Sequence, residues 1–448
     1  MPIEQIPGSD LRYYLVAFDG EGRERTDDPA GVMSERIVSA LEEQPVTDVF
    51  IMSHGWRADL PSAKRQYAAW IGAMLACTAD LARMRATRPD FRPLLIGLHW
   101  PSEPFGDEDL GAGMAFGASS DSDTKWLVDR YAERLADTPT ARAALETIIG
   151  TMAASPQPAS LPHEVQVAYT VLARESGLVQ DTTGATSFDN EQGEFFDAQA
   201  VYRAAQAEPV SFGDTRAGGI ALLPLRLLSY RKMKDRAKQI GETGGASLLA
   251  EAQRMTVQRE TRFHLMGHSF GCIVVSAMVA GAGDGQADVR AVNSLVLVQG
   301  AMSIWSLASR IPAMSDRAGA FHRIVRDRRV AGPILTTMSR FDNAVADAYS
   351  RASLAGAWVP GGLSDQISFE PGQQDWPRYA AIGALGLRGE GLEIEDLDLR
   401  VAAQPYSFQS GRIYNLQSSH VIREGGPPSG AHGDFLKPEV GHAVWEAA

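Results

Sequence analysis

Residues Gly267-His268-Ser269-Phe270-Gly271 hold a serine with a glycine two places before it and another two places after. They end the apolar run 263–266 and open a stretch of small apolar residues, so the pattern predicts a strand, a sharp turn and a helix with Ser269 at the apex. A serine in such a corner has a cramped backbone, and glycine at the flanking positions leaves room for strand and helix to pass. Its hydroxyl then projects where a substrate can meet it, as a nucleophile for attack on a carbonyl. The pentapeptide alone is a weak signal in a chain with 43 glycines; the strand before it and the helix after it give it weight.

A serine hydroxyl is a poor nucleophile until a base takes its proton, and the base needs a third group to fix its tautomer. After an elbow of this kind the partners come later in the chain, the acid before the histidine. Asp342 follows the apolar run 334–338, so a loop leaving a neighbouring strand would carry it to the elbow side of a sheet. It is the candidate acid, ahead of Asp347 and Asp365; its competing role is to cap a helix over 344–352. Four histidines follow the elbow. His322 precedes the strand that carries Asp342 and belongs to the wrong edge, and His442 falls in a terminal helix-like segment where a surface position is expected. His420 and His432 lie past the last strand, on the loop 417–437. His432, in Gly430-Ala431-His432-Gly433-Asp434, is favoured as the base, because flanking glycines let a loop bring an imidazole close to another backbone.

Attack on a carbonyl creates an oxyanion, which needs two preorganised N–H donors. One expected donor is the backbone amide of Phe270, at the start of the helix after the nucleophile. The other comes from the loop after an earlier strand: the run 49–52 leads into Ser53-His54-Gly55-Trp56, and the Trp56 amide is the candidate. His54 and Gly55 also fit a tight turn with a hydrogen-bonded histidine, which would aim the next amide.

Holding these groups together requires a sheet. Continuous apolar runs at 13–18, 49–52, 94–98, 263–266, 295–298, 334–338 and 413–416 read as strands buried on both faces, and helical patterns lie between most of them. The alternation predicts an α/β fold with a mostly parallel central sheet, and polar residues and glycines gather after each run, at the edge where such sheets bind ligands. One interval breaks the rhythm: 160 residues intervene between Ser102 and Phe263, where a crossover needs about a dozen. Apolar residues at helical spacing in 127–135, 145–152 and 165–172, with Pro162 at a helix start and Gly177 at a helix end, predict an inserted helical subdomain. From 178 to 219 no period is sustained, and the acidic alternation in 393–398 suggests an exposed edge hairpin.

With 448 residues, a net charge of −13 and a sequence pI of about 5.2, the chain is large enough for a sizeable core and unsuited to a nucleic-acid or anionic-membrane surface. No run of about 18 apolar residues predicts a membrane span, and residues 1–10 do not read as a secretory signal. Cys77 and Cys272, both in apolar helix-like segments, are expected to be buried free thiols, as in a reducing cytoplasm. There is no H-E-x-x-H, no cysteine pair at zinc spacing and no Walker-type loop.

The elbow, the His-Gly loop and the downstream acid and histidine together resemble the α/β-hydrolase superfamily, over about 11–104 and 219–448. The segments 46–49 and 229–237, which lead toward the His-Gly loop and the elbow, are similar to a group of bacterial hydrolases of uncharacterised substrate. The resemblance implies an α/β-hydrolase core over 1–104 and 219–448, a mainly helical cap over 105–218, a serine nucleophile, and no metal or organic cofactor. It also implies a small-molecule acyl substrate. The expected reaction is carboxylesterase-like cleavage of an ester or related acyl compound through an acyl-enzyme, and amidase, thioesterase or lipase chemistry would use the same groups. A receptor-like ligand binder with little turnover and an interaction module are the readings from other classes. Glycines 111, 113 and 117 suggest a lid hinge in the cap. The chain lacks the His-Gly-Gly-Gly loop of the hormone-sensitive-lipase-like branch, and it has serine where epoxide hydrolases and dehalogenases place aspartate.

Overall fold

The seven apolar runs form the body of a nine-stranded sheet in the computed structural model. The structure describes residues 3–27, 31–56, 58–103, 121–155, 158–178, 196–207, 222–281, 290–312, 317–348, 376, 380–401, 404–426 and 429–448. The strands are β1 (Ile3–Gln5), β2 (Arg12–Ala17), β3 (Asp48–Ser53), β4 (Pro93–His99), β5 (Arg262–His268), β6 (Ser294–Val298), β7 (Ile334–Met338), β8 (Ile394–Asp398) and β9 (Ile413–Gln417), in the spatial order β1-β2-β4-β3-β5-β6-β7-β9-β8. β1 pairs antiparallel with β2, and the remaining pairs are parallel. The chain is therefore an α/β protein with a mostly parallel sheet flanked by helices. Every residue of β3, β6 and β7 is buried, which is why these strands read as unbroken apolar runs rather than as alternation.

Register explains which loops meet. His268 pairs with Val298, Leu297 with Thr336, Met338 with Gln417 and Ser53 with Gly267. The carboxyl ends of β3, β5, β6, β7 and β9 thus lie along one edge, and the residues just past them become neighbours although they are far apart in sequence.

Helices α1 (Met33–Glu43), α2 (Leu60–Ala76) and α3 (Thr78–Thr87) come before the long interval. α2 starts where the Asp59 carboxylate accepts the Ser62 N–H at 2.7 Å, with Pro61 in its first turn, and it buries Tyr67, Trp70, Ile71 and Met74. Helices α4 (Asp121–Arg134), α5 (Pro139–Ala154), α6 (His163–Glu175), α7 (Ala198–Ala207) and α8 (Leu223–Ile240) follow. A π turn, Gly241–Gly245, leads to α9 (Ala246–Met255), and α10 (Gly271–Ala280) follows the elbow. All ten residues of α10 are buried, so its sequence is apolar all round and carries no amphipathic stripe.

The chain divides into two compact units, one of Met1–Ser102, Arg236–Ala346 and Ala380–Ala448, the other of Glu103–Asp235 and Asp347–Tyr379. In the second, Leu127, Tyr131 and Leu135, then Leu145, Ile148, Ile149 and Met152, then Val165, Ala168, Tyr169 and Leu172 are buried, the three faces predicted from spacing. Pro162 precedes α6, and Gly177 ends it at φ +71°.

Several expectations need correction. The acidic stretch 393–398 is not a hairpin: β8 is an edge strand parallel to β9, with none of its residues fully buried. The stretch 178–219 contains helix α7, and the short β1 has no apolar run to announce it. The helix expected over 344–352 is helical as far as it is described, as a π turn over Ala344–Ala348, and residues 349–352 lie outside the described residues. Asp365 and the glycines at 111, 113 and 117 lie outside the described residues.

Candidate active site

β5 stops at His268, and Ser269 takes φ +57° before α10 begins at Gly271. Holding a non-glycine residue in this left-handed region costs about 1–2 kcal/mol, so neighbouring bonds must impose it. The Ser269 N–H donates to the Val298 carbonyl at 3.1 Å, and its own carbonyl accepts from Cys272 and Ala301 at 3.1 and 3.2 Å. The two motif glycines are required by contact. A Cβ on Gly267 would lie 2.4 Å from the Gly271 carbonyl, and one on Gly271 would lie 2.2 Å from the Ser53 carbonyl. Cys272 lies beneath the corner, its thiol donating to the Gly267 carbonyl at 3.2 Å, and burial pushes that thiol well above its ordinary range. Both cysteines are buried and unpaired.

Asp342 is completely buried and sits on the loop after β7. Its Oδ2 accepts the Nδ1–H of His432 at 2.8 Å and the Nε2–H of Gln299 at 2.7 Å, while Oδ1 accepts the Val345 amide at 3.2 Å. The capping role and the pairing with His432 therefore coexist, one carboxylate oxygen serving each. The loops that carry the pair are stapled together: Ala431 N–H donates to the Phe341 carbonyl at 2.8 Å, and Ala344 N–H to the Ser429 carbonyl at 3.3 Å. Gly430 makes this approach feasible, with φ +58° and a backbone so close that a Cβ would sit 2.4 Å from the Phe341 carbonyl. Beyond it, the Asp434 carboxylate gathers the amides of Arg423 and Glu424 and the Lys437 ammonium. Desolvation pushes its pKa up, but the Lys437 and amide hydrogen bonds outweigh this and hold it below the usual range.

The elbow and the imidazole meet through His268, the residue before Ser269. Its ring lies 4.8 Å from the His432 ring, centre to centre, and its Nε2–H donates to the His432 carbonyl at 3.0 Å. Burial, with His432 beside it, drives its basicity well below the ordinary range, so it acts as a neutral donor. The Phe435 ring stacks on that of His268 at 4.1 Å.

The His-Gly loop wraps the same corner. A Cβ on Gly55 would fall 2.6 Å from Ser269 Cβ and 3.2 Å from its Oγ, so a residue of any size there would strike the serine. His54 is buried, and its pKa is pushed down to about 3, chiefly by desolvation and then by His99. Its Nε2 accepts the Trp100 amide at 3.3 Å, so the proton sits on Nδ1 and is donated to the Gly55 carbonyl at 2.8 Å. Ser102 Oγ lies 3.1 Å from that carbonyl and 3.2 Å from the Ala58 carbonyl, its single proton serving one or the other. Because a peptide is planar, pinning the Gly55 carbonyl also fixes the direction of the Trp56 N–H on its opposite side. The Trp56 ring stands 5.8 Å from that of Phe270, the residue at the head of α10.

Among the expected residues, the structure pairs Asp342 with His432 and brings Gly55, His268 and Ser269 into one corner. His420 is elsewhere, its Nε2 on the Leu399 carbonyl at 2.9 Å, and His322 bonds the Leu307 carbonyl. Asp347 lies in the π turn, one turn past Asp342. His442 is not on the surface: it is fully buried in the C-terminal helix Pro438–Ala447, held by Asp80 Oδ2 at 2.8 Å and the Gln404 carbonyl at 3.1 Å. Glycine at 441 lets that helix press within contact of Met74, which is why a polar-looking terminal segment is interior. Asp80, His442 and Glu446 have the composition of metal ligands. However, the Arg83 guanidinium pairs with both carboxylates and already supplies the cation. Sequence reasoning missed Gln299 and Thr337; the available signal was their position at the ends of adjacent strands.

Compared with known proteins, the chain matches no family model, no curated protein and no solved structure.

Proposed function

We propose that this chain is a serine hydrolase of the α/β-hydrolase type that cleaves a carboxylic ester or related acyl compound through an acyl-enzyme. The observation that carries the reading is the Ser269 corner at φ +57°, with a buried Asp342–His432 pair tethered to the adjacent residue, His268. A corner that holds a serine in a strained conformation, with a histidine whose tautomer is set by a buried carboxylate tethered to the residue before that serine, has the composition that nucleophilic acyl transfer requires.

In this reading His432 takes the Ser269 proton as Oγ forms a bond to the substrate carbonyl carbon. The carbonyl electron pair moves to oxygen, and the amides of Phe270 and Trp56 hold the resulting oxyanion. Collapse expels the alcohol, which leaves with the proton carried by His432. Water then repeats the sequence on the acyl-enzyme, releasing the acid and restoring the serine.

The test is hydrolysis of p-nitrophenyl esters of increasing acyl length by the wild type and by Ser269→Ala. Turnover that the substitution abolishes, in a variant that melts like the wild type, supports the reading. Equal turnover in the two proteins would refute it, and a wild type that binds these esters without turnover would favour the receptor-like alternative.

A further inference from the structure

Gln299 directly follows β6, the strand between the one that ends at Ser269's neighbour and the one that precedes Asp342. It is fully buried and has φ +45°, a second non-glycine residue in the left-handed region at this edge of the sheet. Such strain persists only where the surroundings over-determine it. Here they do. The Gln299 backbone N–H donates to Thr337 Oγ1 at 2.9 Å, and the Thr337 hydroxyl donates to Gln299 Oε1 at 2.9 Å. A hydroxyl has one proton; spent on Oε1, it fixes which end of the amide is which. The NH2 end therefore faces Asp342 Oδ2, at 2.7 Å.

Oδ2 is also the oxygen that receives Nδ1–H of His432. One carboxylate oxygen is thus shared between a neutral amide and the imidazole. A neutral donor holds the oxygen in place without cancelling its charge, which a lysine or arginine would do. The His432 imidazole meets Asp342, from the loop after β7, and the neutral His268, from the end of β5.

We propose that Gln299, oriented by Thr337, is a positioning residue for the candidate base: it fixes Asp342 Oδ2 against His432 and sets how much of the carboxylate's charge the imidazole feels. This rests on the hydrolase reading above. Replacing the amide by a methyl-ended side chain leaves the undivided charge facing His432, which then holds its proton more tightly.

The experiment compares wild type, Gln299→Leu, Thr337→Val and Thr337→Ser. It measures the pH profile of kcat/KM on a p-nitrophenyl ester, labelling of Ser269 by a fluorophosphonate, and the melting temperature. Gln299→Leu is expected to keep its reactive serine, lose about tenfold or more in kcat with little change in KM, and move the acid limb to higher pH. Thr337→Val moves the limb the same way by less, and Thr337→Ser, which keeps the hydroxyl, restores the wild-type limb. A Gln299→Leu protein with a lowered melting temperature but the wild-type kcat and limb would overturn the proposal, leaving Gln299 a packing role. If Gln299→Leu does not fold, the Thr337→Val and Thr337→Ser pair decides: identical limbs overturn it. A wild type that neither turns over esters nor takes the label fails the hydrolase reading itself, and the proposal falls with it.

Discussion

At the level of single residues, Asp342 shows how one side chain serves structure and the candidate chemistry together. Three hydrogen bonds converge on its buried carboxylate, one to Oδ1 from the turn that follows and two to Oδ2 from Gln299 and His432. Asp342→Asn keeps the shape but offers an amide N–H where His432 needs an acceptor, so the histidine loses its tautomer. We expect kcat to fall about 10³–10⁴-fold with little change in fold, measured by steady-state kinetics beside circular dichroism. His432→Ala should abolish turnover, whereas His420→Ala should leave it near the wild type, because the His420 ring is committed to the Leu399 carbonyl; the reverse pattern would overturn the assignment. Ser269, Asp342 and His432 were legible in the sequence because a pentapeptide with a mechanism, a strand end and a glycine-flanked loop each leave a local pattern. His268 was visible as a member of the pentapeptide and Gln299 only as a residue at a strand end; what each bonds depends on strand order and on a loop more than 160 residues from His268, which no local pattern records.

Secondary-structure elements were read most accurately where burial was complete. β7 spans the run 334–338 that was expected, and β3, β5 and β6 differ from expectation by a residue or two at their ends, because strands covered on both faces leave unbroken apolar runs. β1 was illegible, being three residues long with one of them half-buried and none deeply buried. α7 was hidden by the polar, glycine-rich sequence before it, whereas the C-terminal helix was expected over 440–447 and only its burial was not. Two glycines connect these elements to the site. Gly430→Ala would force a Cβ against the Phe341 carbonyl at φ +58°, so the loop carrying His432 must move. We expect a loss of about 1–3 kcal/mol in stability by urea titration, with kcat falling further than stability explains. Gly55→Ala, whose Cβ would meet Ser269, should likewise reduce turnover while the variant still folds; full activity in it would contradict the corner described here.

Across the whole molecule, buried neutral histidines tie stability to pH. His54 and His99 are pushed from 6.5 to about 3 and about 4, in both cases chiefly by desolvation, and His268 moves in the same direction. In the unfolded chain these rings take up protons as pH falls through 6.5, while in the folded protein they do not. The unfolded state therefore binds more protons over that interval, so stability is full above about pH 6.5 and is lost as pH drops toward 4 and 3. The urea midpoint should decline steadily from pH 7 to pH 4; a midpoint that rose on acidification would contradict the neutral state of these rings. No helix among the described residues is long and apolar enough to cross a membrane. The central claim, that Ser269 is an activated nucleophile, is tested most directly by peptide mapping after treatment of the folded protein with a fluorophosphonate at neutral pH. The account predicts one adduct per chain, on Ser269, lost in Ser269→Ala and strongly slowed in His432→Ala. A folded wild type that takes no adduct, or takes it at another residue, would contradict it.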